Sequence, residues 1–203
     1  MRRRSAWSSL FSRPAMPWRI ALPVLMIGLL LMSARPGAAE HAASLLRLGE
    51  ILPRFSGQTL AGKPLELPAA GAGSQAVVVF TFSREAGSDA RLWSEHLARA
   101  SSAAVPTYTV IFLEAVPWPF RGLALSSIKG GVPRAMQERT AVAYRDEDLW
   151  EQRLRVSDQS RAYLVLLGPD GTIRWRNSGA FADADFARLL NELAPPPHAP
   201  SRR

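Results

Sequence analysis

Residues 77–93 read VVVFTFSREAGSDARLW. With Gln75 and Ala76 in front, the run through Phe82 is apolar and β-branched without alternation, as in a strand buried on both faces of a sheet. From Asp89 to Ala100 the pattern changes: Ala90, Trp93, Leu97 and Ala100 fall on one helical stripe, so a helix is predicted there. The residues between, SREAGSDA, read as a polar loop. A strand that feeds a helix through such a loop is a common place for a fold to put its chemistry. This loop offers Ser83, Arg84, Glu85, Gly87, Ser88 and Asp89, with no imidazole, and the whole chain has no cysteine.

The same alphabet extends in both directions. TYTVIFL (107–113) reads as a second buried strand, and strand, helix and strand at this spacing form a parallel unit with a right-handed crossover. Upstream, Ile51, Leu52, Pro53 and Phe55 lead into FSGQTLAGKPLEL, whose alternation around Gly62 and Lys63 predicts a hairpin. Downstream, Pro117 and Pro119 break the chain. Leu123, Leu125 and Ile128 then suggest one short helix closed by Gly130 and Gly131, with Pro133 in the first turn of another. Asp146 is placed to cap a turn or two holding Leu149, Trp150 and Leu154. AYLVLL (162–167), GPDG and TIRWRN (172–177) predict an antiparallel hairpin, with Trp175 facing opposite Arg174 and Arg176 and toward the core. Asp183 or Asp185 opens a last helix that buries Phe186, Leu189, Leu190 and Leu193. The order β-α-β, a helical region, then β-β-α is that of an α/β sandwich around a mixed central sheet.

The ends carry different information. Arg2, Arg3, Arg4, Arg13 and Arg19 precede the apolar run Ile20–Met32, and Gly37 and Ala39 suit the small-residue positions of a cleavage site. Residues 1–39 therefore read as a secretory signal, with an uncleaved membrane anchor as the alternative. Either way the body is expected to be extracytoplasmic, periplasmic or tethered to the inner membrane. The formal net charge is +8, but six arginines and no acid lie before Glu40, so the remainder holds 19 basic against 17 acidic residues. The body is nearly neutral, and the basic balance is no argument for nucleic acid. Residues 40–194 suit one domain, and 195–203, PPPHAPSRR, form a Pro-rich tail.

An exported chain without cysteine has no disulfide framework, no dithiol and no thiolate metal ligand. His41, His96 and His198 are the only histidines, so no metal site and no cofactor is expected. The chain shows no phosphate-cradling glycine loop and no internal repeat.

The element order and three stretches carry a resemblance. GEILPRFSGQTLAGKPLEL is similar to the entry segment of exported thioredoxin-like and peroxiredoxin-like proteins, and AYLVLLGPDGTIRWRNSGA to their closing hairpin. The resemblance implies a thioredoxin-like three-layer sandwich with an N-terminal hairpin and a helical insertion. In redox-active members the loop after the first core strand carries two cysteines, and a cis-proline precedes the closing hairpin. Here the loop is SREAGSDA and the proline position falls near Ala162. The narrower resemblance is to mitochondrial ATP synthase assembly factors and their bacterial relatives, which lack the cysteine pair. It runs from about Phe55 to Leu193, through VVVFTFSREAGSDARLWSE, DLWEQRLRV and YLVLLGPDGTIRWRNSG. It implies a non-catalytic role beside a membrane protein partner.

Two groups of residues are candidates. The first is the vestigial corner Ser83, Arg84, Glu85, Ser88 and Asp89. Glu85 and Asp89, four apart, would face the same way as an acid and base pair, or simply complement a helix dipole. Arg84 beside them would lower both pKa values, and neither serine has a base within reach, since His96 follows Ser88 by roughly 12 Å of helical rise. No catalytic residue is expected there; the alternatives are a redoxin-like enzyme with a non-thiol site and a small-molecule binding module using the cleft around Arg84 and Glu85. The second group lies in VPWPFRGL and IKGGVPRAM: Trp118 and Phe120, stiffened by prolines, either plug the sheet end or anchor a protein partner or membrane surface. Arg121, Lys129, Arg134 and Arg139 would then face an acidic partner or lipid headgroups.

Overall fold

The computed structural model describes residues 44–100 and 105–194. The predicted leader, His41, His198 and the Pro-rich tail lie outside the described residues. Seven strands form one sheet in the order β2-β1-β5-β4-β3-β6-β7. They are β1 (Phe55–Thr59), β2 (Pro64–Leu67), β3 (Ala76–Thr81), β4 (Thr107–Phe112), β5 (Thr140–Ala143), β6 (Tyr163–Leu167) and β7 (Ile173–Ser178). The helices are α1 (Arg84–Ala100), α2 (Trp118–Gly131), α3 (Arg134–Gln137), α4 (Glu147–Leu154) and α5 (Asp183–Leu193).

β3 is an interior strand, and every residue of it is apolar or β-branched and buried. It pairs parallel with β4 and antiparallel with β6, and β4 pairs parallel with β5. The two predicted hairpins close the sheet ends: β1 with β2, and β6 with β7. Each turns on a left-handed glycine, Gly62 at φ 81° and Gly171 at φ 80°. A side chain there would crowd its own carbonyl.

The alternation of strand residues splits the core. On one face Val78, Phe80, Val110 and Val165 pack with Trp150 and Leu154 of α4. There Trp150 stacks on Phe80 at 5.0 Å, and Phe82 stacks on Phe112 at 4.8 Å. On the other face Val77, Val79, Leu164 and Leu166 meet Ala90, Trp93 and Leu97 of α1 and Leu189 of α5. Trp175 joins this side, as its alternation with the two arginines predicted. A smaller cluster holds α2 against Leu60, Leu113 and Val142. β4 departs from expectation, since Thr107, Thr109 and Ile111 are only half-buried. α5 buries Leu189 fully but Phe186, Leu190 and Leu193 only in part.

Candidate functional site

The corner after β3 is helix, not loop. α1 begins at Arg84 rather than at Asp89. Ser83 caps it: its Oγ accepts the Ala86 backbone N–H at 3.3 Å, filling one of the donors a helix start leaves open. Gly87 and Ser88 are weak helix formers and hide this start from a propensity reading.

The helix separates the two carboxylates. Glu85 is exposed in the first turn, and its own backbone N–H, the Ser83 hydroxyl and then Arg84 hold its carboxyl below the usual range. Asp89, a turn further on, is buried. Its two oxygens accept the backbone N–H of Ala162 at 3.4 Å and of Phe181 at 3.3 Å. Asp89 thus ties α1 to the start of β6, at the position where the resemblance puts a proline, and to the segment before α5. The acid and base pair is not assembled, because one partner is a structural acceptor. Arg84 and Ser88 are exposed. His96 is a boundary residue: its ring centroid lies 4.2 Å from that of Phe181, and Nδ1–H donates to the Leu92 carbonyl at 2.8 Å. Among the described residues no group of three or more histidines and carboxylates is placed to hold a metal ion.

The second candidate group is also helical, where the two prolines predicted a break. Pro117 precedes α2 and Pro119 sits in its first turn, where a missing N–H removes no hydrogen bond. α2 is largely apolar, yet none of its residues is fully buried. Ala124, Leu125 and Ile128 pack onto the sheet, while Trp118 is 80%, Phe120 61% and Leu123 73% exposed. Trp118 and Phe120 do not plug the sheet end. Lys129 and Arg134 are exposed too, and residues 115–137 contain no acid. Arg121 has a different task. Its Nε donates to the Val116 carbonyl at 2.9 Å and Nη2 to that of Glu114 at 3.2 Å, and the guanidinium lies 5.1 Å from the Tyr144 ring centroid. It positions the start of α2.

Beside it lies a contact no spacing in the sequence announces. The Glu147 carboxylate accepts the backbone N–H of Glu114 at 3.0 Å and of Ala115 at 3.4 Å. The Glu114 carboxylate accepts the Glu147 N–H at 2.8 Å. Asp146 occupies the cap position of α4 as expected, but in a left-handed conformation (φ 63°) and without a side-chain cap bond. Glu114 supplies the cap in its place. This clasp ties the root of α2 to the start of α4.

Burial pushes the Glu147 carboxyl above its usual value, with Glu151 and Glu114 adding repulsion against the two backbone donors. A carboxyl raised by folding favours the fold when protonated. Its contribution is therefore fully present below the unfolded glutamate pKa and is lost as pH rises through the folded value. Glu147→Gln keeps the acceptor and cannot ionise, so its melting temperature relative to the natural chain should rise as pH goes from about 4 to 7. Glu147→Ala leaves two donors to water and should cost about 1 kcal/mol in urea unfolding. A glutamine variant that is less stable at pH 7 than at pH 4, relative to the natural chain, contradicts this.

A cavity of about 270 Å³ opens away from the Arg84 corner, between β1 and β5. Pairing of those strands runs only through Gln58–Val142 and Thr59–Ala141, and beyond it they part over Phe55 and Trp150. None of the residues of the Arg84 and Glu85 corner, the alternative place for a small-molecule cleft, lines this cavity.

No protein-family description matches this chain, and no curated protein matches it. Solved structures do. A thiol:disulfide interchange protein assigned as DsbE from Chlorobium tepidum superposes with a TM-score of 0.56 at 14% identity, over 73% of this chain and 99% of that one. The thioredoxin domain of a thiol-disulfide oxidoreductase from Bacteroides vulgatus gives 0.52 at 18%, over 73% and 99%. The exposed lipoprotein thioredoxin of Streptococcus pneumoniae gives 0.51 at 13%, over 70% and 100%. At such identities the likeness concerns the fold. This chain is a cysteine-free protein of thioredoxin-like α/β fold, without the thiols on which disulfide exchange depends.

Proposed function

We propose that this chain is a non-catalytic, exported thioredoxin-like protein that binds another protein at the membrane through the exposed face of α2. The observation that carries this reading is an apolar helix with no fully buried residue, whose Trp118, Phe120 and Leu123 stand in solvent. Large exposed side chains of this kind mark interaction sites, and Trp is prominent among binding hot spots. Lys129 and Arg134, in a stretch free of acids, favour a partner whose apolar contact is rimmed by carboxylates. Export rests on the basic, apolar and small-residue order of residues 1–39. The narrower reading, assistance to a membrane subunit of the ATP synthase, draws on the resemblance of the three quoted stretches.

Crosslinking in cells followed by identification of the adduct tests both levels. A membrane protein recovered with the natural chain supports the binding role, and an ATP synthase membrane subunit supports the narrower one. Adducts to lipid alone, or a purified chain that reduces insulin or peroxide at an enzymic rate, would overturn it.

A further inference from the structure

The cavity between β1 and β5 has a second observation behind its wall. Arg153, on α4, is 7% exposed, forms no ion pair among the described residues, and its Nε has no hydrogen-bond acceptor. Its guanidinium carbon lies 5.3 Å from the centroid of the Trp150 ring, and Phe80 stacks against that same ring. The charge that favours its protonated form is that of Asp146, one of the residues lining the cavity. A mostly buried guanidinium whose Nε–H is left unpaired is a costly arrangement. Arg54 and Arg145 also line the cavity, with Arg54 held by Glu66 at 2.7 Å. Asp146, at the rim, is one of two described non-glycine residues with positive φ. Such strain persists where the surroundings impose it and is concentrated at binding sites.

We propose that this cavity is a binding site for a small organic carboxylate with a flat apolar body. The body would lie against Phe55 and Trp150. The carboxylate would sit in the field of Arg145 and Arg153, where guanidinium groups are suited to planar oxyanions. The volume admits a molecule of about ten heavy atoms, near the lower end of ligand sites. No residue of α2 lines this cavity, so its failure leaves the partner-binding role untouched.

Benzoate and indole-3-acetate are suitable probes, with benzyl alcohol and inorganic phosphate as controls, read by amide chemical shifts in an NMR titration. The expected result is saturable shifts at Phe55, Arg145 and Trp150 with the two carboxylates and none with benzyl alcohol. Phosphate should bind at least tenfold more weakly, lacking the apolar body. Arg153→Met keeps the stem over Trp150 and removes the charge. It should fold with unchanged or higher melting temperature and bind benzoate at least tenfold more weakly. Arg145→Gln, an exposed position, provides the same weakening should Arg153→Met fail to fold. No saturable shift at millimolar carboxylate, shifts located elsewhere, or a folded Arg153→Met chain that is clearly destabilised and binds benzoate unchanged would overturn the proposal, the last by making Arg153 a purely structural residue.

Discussion

Trp93→Ala is expected to lower folding stability by about 3–5 kcal/mol, the range for truncating a fully buried aromatic. Trp93 has no exposed surface and stands where α1, the sheet and α5 meet. Its ring is 5.0 Å from Phe181, 6.2 Å from Trp175 and 6.2 Å from Phe186. Domains of this size are stable by only about 5–15 kcal/mol, so the variant should be unfolded or close to it at 37 °C. Trp93→Phe should cost far less, because the Trp93 Nε1 has no acceptor and its loss leaves no partner unsatisfied. Urea unfolding followed by circular dichroism measures both. An alanine variant within 1 kcal/mol of the natural chain would mean that α1 and α5 are not packed through this residue.

The second large effect is on binding with stability held constant. Replacing Trp118, Phe120 and Leu123 together by serine should change unfolding free energy by no more than about 1.5 kcal/mol, about 0.5 for each, since all three stand mostly in solvent. The same variant should lose at least nine-tenths of its partner adduct in cells. Arg121→Ala gives a different signature. It removes donors to the Val116 and Glu114 carbonyls, so it should lower stability as well as binding. If the serine variant keeps its adduct, the exposed apolar face of α2 is not the contact. If it unfolds, those side chains are packed in a way their exposure excludes.

Much of the fold was legible because it rests on periodicity. The unbroken apolar run of β3, the alternation around Gly62, and the GPDG turn each have one reading, but the strand order does not follow from them, because the four-residue β5 that joins β1 to β4 lies in the region read as helical. The starts of helices were less legible. Gly87 and Ser88 argued against helix, and the Ser83 cap that outweighs them is a single hydroxyl. Pro117 and Pro119 looked like a break, although proline in a first helical turn is harmless. That misreading placed Trp118 and Phe120 in a loop, and of the two alternatives stated for them their exposure removes the sheet plug.

What the sequence did not carry were contacts between distant positions. Glu114 caps α4 across the fold, and Asp89 reaches both Ala162 and Phe181, so no local pattern betrays either. Asp89 and Glu85 are i and i+4, which suggested a pair. Tertiary packing covered one and left the other in water. Nothing in the spacing around Arg153 marks it out, and only the fold shows that it is buried.

On the proposed reading, this thiol-free thioredoxin-like scaffold works through the exposed face of α2 and not through the corner after β3. Placing one photoreactive side chain at position 120 in one chain and at position 85 in another tests this most directly. Irradiation in cells should give a discrete protein adduct from position 120 and none from position 85. An adduct from position 85 alone would return the working surface to the old corner and contradict the assignment to α2.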